Sequence, residues 1–294
     1  MAKDLERTQR TREAMQQQGI DALVLRLPEN VVMLSGYWPM NGFAFLVFPA
    51  EADPVLIAPA PEEELAREGW VEGVRLFPWG LVDSGDPYQS VFKLLSESAQ
   101  SLGLAGKCVG YEGSFEFVAA PYVAAEPGVL SQVTLAMIRQ IFGENLVDAT
   151  GMIHKLRLYK TPAEIERLRT VNEIARMGLS AFFEHVTPGR SEIEVASAVE
   201  AAIPQGGTGY KGVKVARAWA SVMSGPRAAA AYKPHLLSTQ RKLEAGDMAL
   251  LELATVADGW WSDLTRTRAA GAARSVDLAR WQAVVEAQRA AIAA

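Results

Sequence analysis

Leu250-Leu251-Glu252-Leu253-Ala254-Thr255-Val256-Ala257-Asp258-Gly259-Trp260-Trp261-Ser262-Asp263-Leu264-Thr265 sets two strand-like runs on either side of Asp258-Gly259, the strongest short hairpin signal in the chain. If that pair forms a two-residue loop, Ala257 faces Trp260, and counting outward sets Ala254 opposite Asp263 and Glu252 opposite Thr265. Directly opposed residues share a sheet face, and so do residues two apart along a strand. Glu252, Asp263 and Thr265 therefore project to one side beside Trp261, while Leu251, Leu253 and Leu264 form an apolar other side. Diagonal neighbours on such a ribbon lie roughly 7–8 Å apart, a gap that two carboxylates span by reaching toward a metal pair about 3.5–4 Å apart. The pattern permits a dinuclear site, and it equally permits two solvated acids on an exposed sheet face.

Upstream of the hairpin, residues 212–223 read as a further strand; the hairpin strands themselves cover 248–256 and 260–267. Before them stand two capping boxes. Thr161 and Glu164 flank Pro162 at the start of a long helix whose apolar residues Ile165, Leu168, Val171, Ile174, Met177 and Phe182 keep helical spacing until Pro188-Gly189. Ser191 and Glu194 open a second helix. Nearer the N-terminus, residues 4–18 read as a mostly exposed helix ended by Gly19, and 22–25 as a buried strand. Strands at 43–48 and 54–57 are joined by a hairpin loop, and helices at 88–102 and 132–141 flank a strand around 107–111. This alternation marks an α/β domain over residues 1–153, followed by an α+β domain over 154–294. The last segment, 275–294, carries Leu278, Trp281, Val285 and Ile292 on one helical face with no Gly, Asn or Pro after it. The second domain is thus expected to be incomplete at its C-terminal side.

The 294 residues are 49% hydrophobic and 21% charged, an ordinary globular balance for two domains. A net charge of -5 offers no basic field for a phosphate backbone, which excludes nucleic acid as a first choice of partner and suits a small peptide better. One cysteine, Cys108, rules out an internal disulfide and reads as a small core hydrophobe. No apolar run approaches the length of a membrane span and the N-terminus lacks an apolar leader, so the expectation is no membrane and a cytoplasmic location.

Residues 258–267, Asp-Gly-Trp-Trp-Ser-Asp-Leu-Thr-Arg-Thr, resemble the segment of prolidases and aminopeptidases P in which an acid, an Asp eleven residues later, and then x-Thr-Arg-Thr supply the first two metal ligands. Pro28-Glu29-Asn30-Val31, Ser35-Gly36-Tyr37, Lys160-Thr161-Pro162-Ala163-Glu164-Ile165, Pro188-Gly189-Arg190-Ser191-Glu192, Pro234-His235 and Gly246-Asp247 match as well, so the resemblance covers nearly the whole chain. It implies a creatinase-like N-terminal α/β domain followed by a pita-bread α+β domain. It also implies two divalent ions (manganese, cobalt or zinc) and a bridging water that attacks the carbonyl before proline. On that resemblance Glu252 and Asp263 are metal ligands, His235 contacts the substrate, the substrate is a small proline-containing peptide and the protein is a homodimer.

Three departures accompany the match. Glu252 stands where most of the family has Asp. The family's remaining ligands, a His and two Glu, would follow residue 294, so this chain by itself is expected to be inactive. The family's Ser-Gly-x-Asn appears as Ser224-Gly225-Pro226-Arg227, with a longer gap to His235. Of the other histidines, His154 reads as structural and His185 as a helix-end or surface residue. Tyr37-Trp38-Pro39 would either close over a partner's site or join the core, the commoner fate of such aromatics. Three functions remain open: metal-dependent hydrolysis of Xaa-Pro bonds, a metal-independent creatinase-like C–N hydrolase using His235, and a non-catalytic peptide- or protein-binding module.

Overall fold

The computed structural model describes residues 3–80, 85–115, 128–231, 233 and 237–294. They form two compact units, Met1–Ile165 and Glu166–Ala294. Helix Thr150–Leu158 contributes Met152, Ile153 and Leu156 to the first unit's core, so residues 154–165, grouped with the second domain in the sequence reading, lie with the first.

In chain order the first unit holds helix α1 (Leu5–Gln18), strand β1 (Ala22–Leu25), α2 (Pro28–Ser35), β2 (Phe45–Pro49), β3 (Val55–Pro59) and α3 (Glu63–Arg67). There follow β4 (Gly73–Phe77), α4 (Pro87–Ser101), β5 (Val109–Tyr111), α5 (Gln132–Phe142), β6 (Leu146–Asp148) and α6 (Thr150–Leu158). The strands make one mixed sheet in the order β4-β3-β2-β1-β5-β6. Helices cover both faces, which is why β1 and β2 are apolar at every position. Leu23, Leu25, Leu46 and Phe48 face a core shared with Met15, Val31 and Met152. Ala22, Val24, Phe45 and Val47 face another, filled by Val91 and Leu95 of α4 and Ile138 of α5. Cys108 is half-buried against the first of these cores.

Helix α1 is less exposed than its composition suggests, because Arg7 is 1% exposed. Its guanidinium donates to Glu164 Oε1 at 2.9 Å and Oε2 at 2.6 Å, to Leu156 O at 2.6 Å and to Tyr159 O at 2.8 Å. Glu164 in turn closes the Thr161 capping box, accepting from the Thr161 backbone N–H at 2.9 Å. Tyr37 joins the core, with its hydroxyl donating to buried Glu62 at 2.5 Å. A third buried carboxylate, Glu112, accepts from the Arg26 and Leu27 backbone N–H groups and from Asn30 Nδ2. It thereby caps α2, whose own N-cap residue Leu27 has no side chain to do so.

The second unit contains α7 (Pro162–His185, which begins in the first), α8 (Glu192–Gly207), β7 (Ala216–Ser224), β8 (Met248–Ala257), β9 (Trp260–Ala269) and α9 (Ser275–Ala293). Strands β7-β8-β9 form an antiparallel sheet. One face packs Val222, Ala249, Leu251 and Leu253 against Phe182 of α7 and Val195, Ala196 and Val199 of α8. On α9, Leu278, Trp281 and Ile292 are exposed. No helix among the described residues is long and apolar enough to cross a membrane.

Removing either partner of the Arg7–Glu164 pair strands a buried charge, so Arg7→Ala or Glu164→Ala should cost about 3–5 kcal/mol in chemical denaturation. Burial, the largest influence on Glu112, lifts its carboxyl to about 7 against the pull of its three N–H donors. An acid whose pKa rises on folding contributes stability that is full below its unfolded value, near 4.5, and is lost as the pH climbs through 7. The wild type should therefore lose stability between about pH 5 and 7.5 relative to Glu112→Gln, in which that slope should flatten; thermal melts across the range read it.

Candidate active site

The β8–β9 register places Glu252 opposite Thr265, Ala254 opposite Asp263 and Ala257 opposite Trp260, the pairing read from the sequence. The turn holds because Asp258 and Gly259 both take positive φ, 46° and 83°. Asp258 is also fixed from outside, accepting from the Lys214 and Val215 backbone N–H groups at 3.1 and 2.9 Å. Glu252 and Asp263 thus share the sheet face opposite the helices, and both are exposed there.

Thr265 Oγ1 donates to Glu252 Oε2 at 2.6 Å. The Glu252 carboxyl is pushed above its ordinary range, first by partial burial and further by Asp263, which lies within hydrogen-bonding reach, while Thr265 pulls the other way. Two acids this close repel one another, and a cation between them relieves that repulsion. The donor set, two carboxylates and a hydroxyl, fits a hard divalent ion. Among the described residues no group of three or more His, Cys, Asp or Glu is arranged to hold a metal, so the site here is a pair.

His235 lies outside the described residues. His154 stacks on Phe115, ring centroids 4.6 Å apart, and His185 Nδ1 lies 2.9 Å from Ala181 O in its own helix; neither joins the carboxylate pair. Sequence reasoning missed Glu192, which is fully buried. Its carboxylate accepts from Ser224 N and Oγ at 2.8 and 2.9 Å, from Arg227 Nε at 3.2 Å, and from Thr239 N and Oγ1 at 3.0 and 2.7 Å. Arg227 also donates to Leu237 O at 2.6 Å. Ser224-Gly225-Pro226-Arg227 and Thr239 are thereby tied to one anion. The signal was the acid after Ser191, which reads as first-turn helix charge until its burial is known.

The model of the creatinase/prolidase N-terminal domain matches residues 7–159, more than half of the chain. The chain belongs to the creatinase/prolidase family. Residues 166–294 match metallopeptidase family M24. An Xaa-Pro dipeptidase of Pyrococcus furiosus is 25% identical over 289 residues, 98% of this chain and 72% of that protein. A prolidase structure from Pyrococcus horikoshii superposes with a TM-score of 0.69 at 23% identity, over 97% of this chain and 71% of that one. An X-Pro aminopeptidase structure from Thermotoga maritima gives 0.70 at 18%, over 96% and 70%. The architecture is therefore the expected one, a creatinase-type α/β domain followed by the pita-bread fold, and the fold serves proteins named for either specificity.

Because folding raises the Glu252 carboxyl, its charge is disfavoured in the folded state at neutral pH. Without added metal, Glu252→Gln should stabilise the second unit at pH 7 by up to about 1 kcal/mol, the exposed setting screening the rest; urea denaturation measures it.

Proposed function

We propose that this creatinase/prolidase family member works as a metal-dependent peptidase that cleaves the bond before proline in small peptides. The observation that carries this reading is the pair of carboxylates, Glu252 and Asp263, brought within hydrogen-bonding reach on the open face of a sheet in a domain of metallopeptidase family M24. The relatives named Xaa-Pro dipeptidase or prolidase support the substrate class.

Glu252 and Asp263 would hold the metal, and Thr265 would orient Glu252 through its hydroxyl. A carboxylate-rich set favours harder ions, which puts manganese ahead of cobalt and zinc. When bound, divalent ions supply Lewis acidity and a more acidic water. Glu252, one methylene longer than Asp, reaches further from β8 and so changes how the ion is gripped. His235 is assigned to the substrate side by resemblance, holding or protonating groups about the scissile bond. A homodimer, on the family resemblance, and a cytoplasmic location, on the sequence's lack of an apolar leader or membrane-length run, complete the reading.

Equilibrium dialysis with manganese(II) tests it. Asp263→Asn should weaken uptake at least tenfold, roughly the loss expected when a metal site is disturbed, and Thr265→Val should weaken it less. Unchanged uptake by Asp263→Asn would remove this pair from the metal site. Hydrolysis of Gly-Pro that survives both EDTA and that substitution would favour a metal-independent hydrolase.

A further inference from the structure

Glu192 is the first residue of α8, directly after the cap Ser191, and it is wholly buried. Acids in the first turn of a helix ordinarily stay in water, where the helix dipole already favours them. Nor does α8 need Glu192 as a cap, because Ser191 and Glu194 close a capping box by themselves. A carboxylate withdrawn from water is costly unless its acceptor positions are filled. At Glu192 they are filled by Ser224 N and Oγ, Arg227 Nε, and Thr239 N and Oγ1. These donors, rather than the helix, account for the burial.

The donors lie along the outer edge of β7. Among the described residues β7 is an edge strand, and three of its N–H groups go to side chains instead of to another strand. Ala220 donates to Glu200 Oε1 at 2.9 Å, Val222 to Ser238 Oγ at 2.7 Å and Ser224 to Glu192 Oε1 at 2.8 Å. Residues 237–239 are therefore drawn against β7. Val222 holds Ser238, Glu192 holds Thr239, and Arg227 holds the Leu237 carbonyl at 2.6 Å. The Ile193 N–H adds a bond to Thr239 O at 3.1 Å. Val222 is one row from Ser221, Glu252 and Thr265, so this limb runs one strand out from β8, which bears Glu252. His235 stands two residues before Leu237 and four before Thr239 in the sequence.

We propose that Glu192 is a positioning residue for the peptidase site: it seats the limb that leads back from His235 against the edge of β7, beside the row that carries Glu252. This rests on the peptidase reading above, in which His235 faces the substrate. The role needs the anion and not merely the shape of the side chain. Glutamine fills the same volume, yet it offers one acceptor oxygen and turns an NH2 group, itself a donor, toward the donors of Ser224, Arg227 and Thr239. Aspartate keeps the charge and ends one methylene short of them.

Histidine NMR on the whole chain tests this without requiring turnover. The chain has only His154, His185 and His235, so labelling the imidazole Cε1 with carbon-13 gives three signals, each assigned by a His→Gln variant. Gly-Pro is titrated in with zinc(II), which is diamagnetic. In the wild type it should move the His235 signal and leave the other two. In Glu192→Gln the His235 signal should shift before any ligand is added, and the Gly-Pro concentration at half response should rise about three- to tenfold, the scale of one lost hydrogen bond. Glu192→Asp should fall between the two. Thr239→Val, which removes one hydroxyl donor and keeps the shape, should shift His235 in the same direction by less. Movement of all three signals to unfolded positions in Glu192→Gln would mean a lost fold, and Thr239→Val then decides by the same comparison. A His235 signal that responds to Gly-Pro equally in the wild type and in the folded variants would overturn the role of Glu192 alone. No response of His235 in the wild type would overturn the substrate role of the histidine, and the positioning role with it.

Discussion

The register of the β8–β9 hairpin governs what the second unit can do. A two-residue turn leaves no slack, and side chains alternate strictly between faces, so a slip of one residue would send Glu252 and Asp263 into the leucine layer and the leucines into water. The apolar face against α7 and α8 and the positive φ of Asp258 and Gly259 enforce the same pairing from opposite ends. Asp258 adds a third constraint by binding the backbone just before β7, so turn and neighbouring strand lock together.

Buried carboxylates do for the loops what this register does for the sheet. Glu62, Glu112, Glu164 and Glu192 are each withdrawn from solvent, and each accepts several N–H or O–H donors from segments without regular structure or from helix starts. Such groups are costly to bury and are stable only when their acceptor sites are filled. Each therefore imposes one arrangement on its donors. The exposed acids, Glu252 and Asp263, differ in being turned toward one another, with a single hydroxyl between them and repulsion.

Much of this was legible from local chemistry. Asp258-Gly259 specified the hairpin, the two Ser/Thr-x-x-Glu boxes specified the starts of α7 and α8, and Gly19 ended α1 through its positive φ. What escaped depended on distant partners. Helix α2 was unread because its cap, Glu112, arrives from more than eighty residues away. Strands β4 and β6 are short edge strands in which only Phe77 is buried, too few residues to set an alternating pattern. Arg7 looked like surface charge because nothing near it in sequence announces Glu164. The carboxylate pair was legible as geometry, and the stacking of Trp219 on Trp261, ring centroids 5.5 Å apart, was not, since β7 had no turn to fix its register against β8.

The clamp at Glu192 bears on how this family can change. Ser224 and Arg227 enter a long connection and Thr239 leaves it, yet all three hold the same carboxylate, so the two ends stay together whatever lies between. Closing a loop costs free energy only as the logarithm of its length. With its ends already pinned, residues can be added or exchanged inside the connection without disturbing the strands on either side. The wider spacing between Ser224-Gly225 and His235 in this chain is the kind of variation such a clamp tolerates. It makes the connection a place where length and composition can vary while the sheet that bears the acids stays as it is.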